Sequence, residues 1–274
     1  MNRSEHGRGG FTLIELLVVV AVIAILVAVL LPALSGARRQ AVQTQSLAAA
    51  RSLKLSYLAY ADDHRGCVIP GYLPIFWNGS PISVTDEFGN VWEGPLAQRW
   101  VYRLAPYFDY AWAGTTLVAS RRKLFAERDR ILAAEGANGW AYRVSVYPSF
   151  GMNYLYVGGN LARTDLAAQG HHVSRLDQPL LPDSLIVFAS ARFRETNPVE
   201  IIEGFHRIEP PPVGAVYRED DDPVLFGYVH PRHGGAATAS FFDGHAALLR
   251  ASEATDRRRW ADPAARAGDP AWTP

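Results

Sequence analysis

Phe11-Thr12-Leu13-Ile14-Glu15-Leu16 opens an apolar run that continues through Leu31, and the reading of this run decides the fold. From Phe11 to Ala37 the only charged residue is Glu15, and Leu16 to Leu31 is wholly apolar. A bilayer core takes about 20 predominantly apolar residues as helix, a length reached here once Thr12 and Glu15 are included. A secretory signal would carry a shorter apolar core, about 7 to 15 residues, ending at a small-residue cleavage site. A plain membrane anchor accounts for the length but not for Glu15, because a carboxylate at membrane depth is costly and marks function.

Gly10-Phe11-Thr12-Leu13-Ile14-Glu15-Leu16 resembles the prepilin processing site of type IV pilins and type II secretion pseudopilins. The resemblance implies cleavage between Gly10 and Phe11 by a prepilin peptidase, N-methylation of the new Phe11 amine, and retention of the apolar helix on the mature chain. It also implies that Glu15 pairs with the N-terminal ammonium of a neighbouring subunit. Such a pair is strong in low dielectric and heavily penalised when broken. The alternative is a carboxylate that snorkels to the interface. Residues 1–10 are then a leader, basic through Arg3 and Arg8, and residues 11–37 the transmembrane part of the helix. Arg38 and Arg39 follow the span, so Lys/Arg counting does not orient it. The resemblance implies a single-pass protein of a bacterial inner membrane with its C-terminal domain outside the cytoplasm.

Outward from this run, Pro32 predicts a kink and not a stop. From Arg38 to Asp63 there is no Pro or Gly, and Leu47, Ala50, Leu53, Tyr57 and Tyr60 recur at helical steps. Arg51 and Lys54 fall mostly off that stripe. Residues 38–65 are therefore read as an amphipathic stalk that lays its stripe on a globular domain. The two halves make a helix of about 50 residues, roughly 75 Å long, with Gly66 supplying its C-terminal cap.

Residues 66–256 are read as an α+β head, an antiparallel sheet packed on the stalk helix. Strands are expected at Cys67–Ile69, Leu73–Trp77, Leu185–Ala189, Gly227–Val229 and Ala239–Phe242. Helices are expected at Gln98–Phe108 and Ser120–Ala134. The aromatic-rich region 77–110 is read as core and loop packing, with sugar or partner binding as the alternative. Residues 257–274, with Pro263, Gly268, Pro270 and Pro274, are expected to be a poorly ordered tail.

Composition excludes several functions. The 274 residues carry no net charge, against a nucleic-acid surface. A single cysteine, Cys67, rules out an intrachain disulfide and multi-thiolate zinc, and is expected to be buried or half-buried. Asp220, Asp221 and Asp222 are a weak candidate for calcium without the alternation of a defined calcium loop; a solvated acidic turn is the competing reading, and no other cofactor is indicated.

Nine residues separate His233 from Asp243-Gly244. Phe241 to Leu249 reads as strand, Asp-Gly turn, strand. This H-x9-DG ending resembles the C-terminal signature of a group of prepilin-like proteins abundant in planctomycetes. Tyr60 to Gly66 and Ser149-Phe150-Gly151-Met152-Asn153 are similar to that group as well. Asp243-Gly244 is read as the turn and His233 as its lock to nearby backbone. The alternative is a metal-dependent hydrolase site of His233, Asp243 and His245. The overall expectation is a non-enzymatic filament subunit whose partners are the prepilin peptidase/N-methyltransferase, other pseudopilins and an inner-membrane assembly platform. A tethered extracytoplasmic ligand-binding protein is the other reading.

Overall fold

The computed structural model describes residues 13–163, 170–196 and 199–274. The chain falls into two compact units, Met1–Val42 and Gln43–Pro274. Helix α1, Leu13–Asp63, is continuous over 51 residues and runs on through Pro32. The hydroxyl of Ser35 donates to the Pro32 carbonyl at 2.9 Å. In the first unit every residue from Leu13 to Ser35 is exposed, and the helix is long and apolar enough there to cross a membrane.

In the second unit α1 is amphipathic. Ser46, Ala49, Ala50, Leu53, Lys54, Ser56, Tyr57 and Ala61 are buried, which rotates the buried face away from the expected stripe and leaves Leu47 and Tyr60 only half-buried. Lys54, expected off the stripe, is wholly buried. The helix ends in a paired cap. Gly66 N–H donates to Ala61 O at 2.7 Å and Arg65 N–H to Asp62 O at 3.2 Å. The left-handed residue that turns the chain is Arg65, with φ 55°, and Gly66 follows it at φ 80°.

Four short strands come next: β1 Phe76–Trp77, β2 Ser80–Pro81, β3 Ser83–Thr85 and β4 Val91–Glu93. They form two small hairpins. Helices α2 Pro95–Gln98 and α3 Trp100–Leu104, with a 3-10 turn Ala105–Phe108, fill the expected helical span. Helices α4 Arg122–Ala126 and α5 Arg128–Val146 follow, the second broken at Gly136, where φ is 68°. The remaining strands are β5 Phe150–Asn153, β6 Ile186–Ser190, β7 Arg192–Thr196, β8 Val199–Glu203, β9 Arg207–Ile208, β10 Ala236–Phe241 and β11 Ala246–Arg250, before helix α6 Asp262–Ala267.

The main sheet runs β11-β10-β6-β5-β9. Its pairs are antiparallel except β5 with β9. Gly151 permits that parallel pair, since a Cβ there would stand 2.6 Å from the Arg207 carbonyl. Strands β5, β6 and β10 are buried at every residue, so the sheet is covered on both faces. Tyr57 of α1 meets Phe188 edge-on at 5.9 Å and Phe242 at 6.3 Å. A second core gathers Ile186, Ala239, Phe241 and Leu249 with Trp260, Ala261 and Ala264. Residues 257–274 are therefore not a loose tail: Trp260 is fully buried, and Asn153 Nδ2 donates to Trp260 O at 2.9 Å and Ile186 O at 3.0 Å. The Pro and Gly content signalled turns; the second face of the sheet, which this segment covers, supplies the reason for order.

Three expected strands shrink. Cys67 contributes one bridge, to Arg175, and is exposed, not buried. Of Leu73–Trp77 only the last two residues pair. Gly227–Val229 leaves a 3-10 turn at Gly227, φ 59°, and adds one bridge, Val229 to Ala191.

Candidate functional site

Gly10 and Phe11 lie outside the described residues. Glu15 sits in the first turn of α1, where the positive end of the helix dipole favours a carboxylate. It is followed by the exposed apolar face of Leu16 to Leu31. An apolar surface this continuous is rare on a soluble monomer and marks a membrane or protein interface.

The Asp243-Gly244 turn closes β10 and β11 as expected, in a three-residue form. Gly244 N–H donates to Phe241 O at 3.1 Å and Phe241 N–H to His245 O at 2.9 Å. Gly244 adopts φ 106°, a left-handed conformation that favours glycine. Asp243 Oδ1 accepts from His245 N–H at 3.0 Å and lies 2.7 Å from His245 Nδ1. The His245 ring stacks on Phe241 at 4.4 Å. The loop is also sewn to the sheet's neighbour, with Phe242 N–H to Leu185 O at 2.9 Å and Asp243 N–H to Pro182 O at 3.0 Å.

Beneath this turn lies Lys54. Its Nζ is buried without a hydrogen-bond partner among the described residues and rests 3.9 Å from the Tyr57 ring centroid and 4.8 Å from that of Phe242. Burial pushes the ammonium well below its ordinary pKa, opposed by the charge of Asp243. Partial burial raises the Asp243 carboxyl, but the bonds from His245 and the charges of His245 and Lys54 outweigh it and hold the group low. The turn carboxylate and two aromatic faces are thus what compensates a lysine inside the core.

His233 does not lock this turn. It precedes β10 while Asp243 follows it, so a six-residue strand, about 20 Å at 3.3 Å per residue, separates them. The His233 main chain exchanges bonds with Ala236 at 3.0 and 3.3 Å, and its Nε2 is buried without a partner among the described residues. His233, Asp243 and His245 therefore share no site, which removes the geometry of the hydrolase reading.

The acidic run is occupied by arginines. Arg192, 1% exposed, donates to the carbonyls of Arg218, Glu219 and Asp221 at 2.9, 2.5 and 3.1 Å. Asp222 caps Val224 N–H at 3.1 Å and pairs with Arg194 at 3.3 Å. Among the described residues no three His, Cys, Asp or Glu side chains converge as metal ligands.

Sequence reading missed Asp86 and Glu87. Asp86 is buried and accepts from Phe88 N, Asn90 N, Asn90 Nδ2 and Trp92 Nε1, all within 2.8–2.9 Å. Glu87 Oε1 receives both Trp112 Nε1 at 2.9 Å and Trp140 Nε1 at 2.6 Å. Asp86 thereby closes the β3–β4 hairpin on itself, and Glu87 ties it to the core indoles of Trp112 and Trp140. The spacing Asp86 to Gly89-Asn90 was the available signal for an Asx turn. The aromatic region 77–110 divides: Trp100 and Tyr102 are core, whereas Trp77 and Phe88 are exposed.

Residues 6–31 match the family model described as the prokaryotic N-terminal methylation motif. No curated protein and no solved structure matches the chain significantly. The matched segment carries the type of signal found on type IV pilins and pseudopilins, and it runs into a helix long and apolar enough to cross a membrane.

Proposed function

We propose that this chain is a pseudopilin-like structural subunit of a type II secretion or type IV pilus-like filament. A prepilin peptidase hydrolyses the Gly10–Phe11 bond, and the new Phe11 amine is methylated. The helix stays in the bacterial inner membrane, with residues 43–274 on the extracytoplasmic side, until an assembly platform draws it into a filament. Glu15 pairs with the ammonium of a neighbouring subunit and sets the register.

The observation that carries this reading is the uninterrupted exposure of Leu13 to Ser35 within and beyond the methylation motif. That surface requires lipid before assembly and sister helices after it. The H-x9-DG element serves the head as structure: Asp243-Gly244 forms the hairpin turn over Lys54, and His233 stands at the start of β10. Its likeness to a planctomycete-type group remains part of this proposal.

Single cysteines along Leu16 to Leu31, placed in a Cys67→Ser background because Cys67 is exposed, provide the test. A filament subunit gives ladders of crosslinked species in native membranes. Monomers alone would sink assembly, and a mature chain still starting at Met1 would sink processing.

A further inference from the structure

We infer that the head carries a saccharide-binding groove built on Trp77. The starting observation is a hairpin without a folding rationale. Strands β1 and β2 are joined by Asn78 and Gly79, with φ 51° and 81°, a tight turn suited to a rigid hairpin. All four strand residues are exposed. Phe76 is 63% and Trp77 46% exposed. Holding large aromatics in water on a rigid support costs stability and marks a binding surface.

Trp77 lines a cavity of about 800 Å³ whose other aromatic walls are Tyr60, Tyr102, Tyr107 and Tyr110. That size accommodates an extended ligand and exceeds what a small quaternary cation needs. The polar edge contains one anionic and one cationic side chain, Asp63 and Arg103, with the hydroxyl groups of Ser83 and Thr85. One side chain of each charge on the lining suits a neutral ligand rich in hydroxyls, and tyrosine and tryptophan faces suit the apolar faces of sugar rings.

Two residues that line the groove also carry buried polar atoms without protein partners among the described residues. The Tyr102 hydroxyl, on a residue 1% exposed, is one, and Arg103 Nη1 is another. Arg103 is fixed by its Nη2, which donates to Pro70 O at 2.7 Å and Gln98 O at 3.1 Å. Tyr110 donates to Thr85 O at 3.0 Å. Asp86 braces the β3–β4 wall internally and Glu87 anchors it to Trp112 and Trp140, so the groove is formed before any ligand arrives.

The test uses the full chain in micelles of a detergent without a sugar headgroup. Probes are cellotetraose, xylotetraose and chitotetraose, the last standing for N-acetylated wall glycan and the others for unsubstituted polysaccharide. A proline-rich peptide is the competing class. Tryptophan emission and saturation-transfer NMR report binding, and near-UV circular dichroism confirms that variants fold. At least one tetrasaccharide is expected to bind in the millimolar range or tighter, and Trp77→Ala and Tyr107→Ala should each weaken it about tenfold or more. Glu15→Val should bind like the parent chain, which keeps a failure of binding distinct from a failure of assembly. The inference is overturned by no tetrasaccharide binding, by binding that Trp77→Ala leaves unchanged, or by binding of the peptide alone.

Discussion

The two ends of α1 share one backbone geometry and opposite chemistry. From Leu13 to Ser35 every side chain is exposed, while from Ser46 to Ala61 one face is buried against the head. The first stretch is apolar all round, so no rotation about its axis hides it. The second alternates, so one rotation is right and the others are costly. A helix without a preferred face is suited to lipid and to many equivalent neighbours, whereas a helix with one face commits to one partner.

The largest effect expected from this contrast lies at the only charge in the apolar stretch. Glu15→Val should still be cleaved and inserted, yet filaments should fall to background by electron microscopy and membrane fractionation. Normal filaments would show that the carboxylate does not set register. Next comes the far side of the sheet. Trp260→Ala should destabilise the head by about 3–5 kcal/mol in denaturant unfolding, and a change near zero would mean the C-terminal segment does not cover the sheet. Within α1 itself, Leu53→Ala should cost about 2–5 kcal/mol. Ile23→Ala, in the exposed stretch, should change head stability by no more than about 0.5 kcal/mol. Equal costs would erase the distinction between the two stretches.

Smaller effects sharpen it. Asp86→Ala leaves four donors, including Trp92 Nε1, without their acceptor; a loss of about 1–3 kcal/mol is expected. Lys54→Met is read through pH. The folded-state pKa of Lys54 lies below its ordinary 10.5, so the unfolded chain holds more protons between those two values. Stability from this residue is then complete above 10.5 and is lost as pH falls toward the folded value. As pH rises toward 10.5 the parent chain should gain stability relative to Lys54→Met. Parallel curves would mean that Lys54 keeps its ordinary pKa.

Much of the fold was legible because it is local. The long helix follows from hydropathy and the absence of breakers between Arg38 and Asp63, and the β10–β11 hairpin follows from Asp243-Gly244 between apolar runs. Helix Gln98–Phe108 was recognised as a span but not as three short pieces, since the break at Arg99, with ψ 149°, carries no Gly or Pro. Glu87 was not legible as an anchor, unlike Asp86, whose partners are two to six residues away. The partners of Glu87, Trp112 and Trp140, are 25 and 53 residues away, and nothing local announces that two indoles will meet one carboxylate.

By itself the sequence determined the apolar rod, the methylation motif at its start, the glycine turn of the last hairpin and the α+β character of the head. Each depends on residues adjacent in the chain or one helical turn apart. Only the tertiary structure decided that Lys54 faces the core, that His233 and Asp243 stand at opposite ends of a strand, and that residues 257–274 close the sheet. Those outcomes depend on how α1 is rotated against the sheet and on which face remains to be covered, and both are set by contacts between residues far apart in sequence.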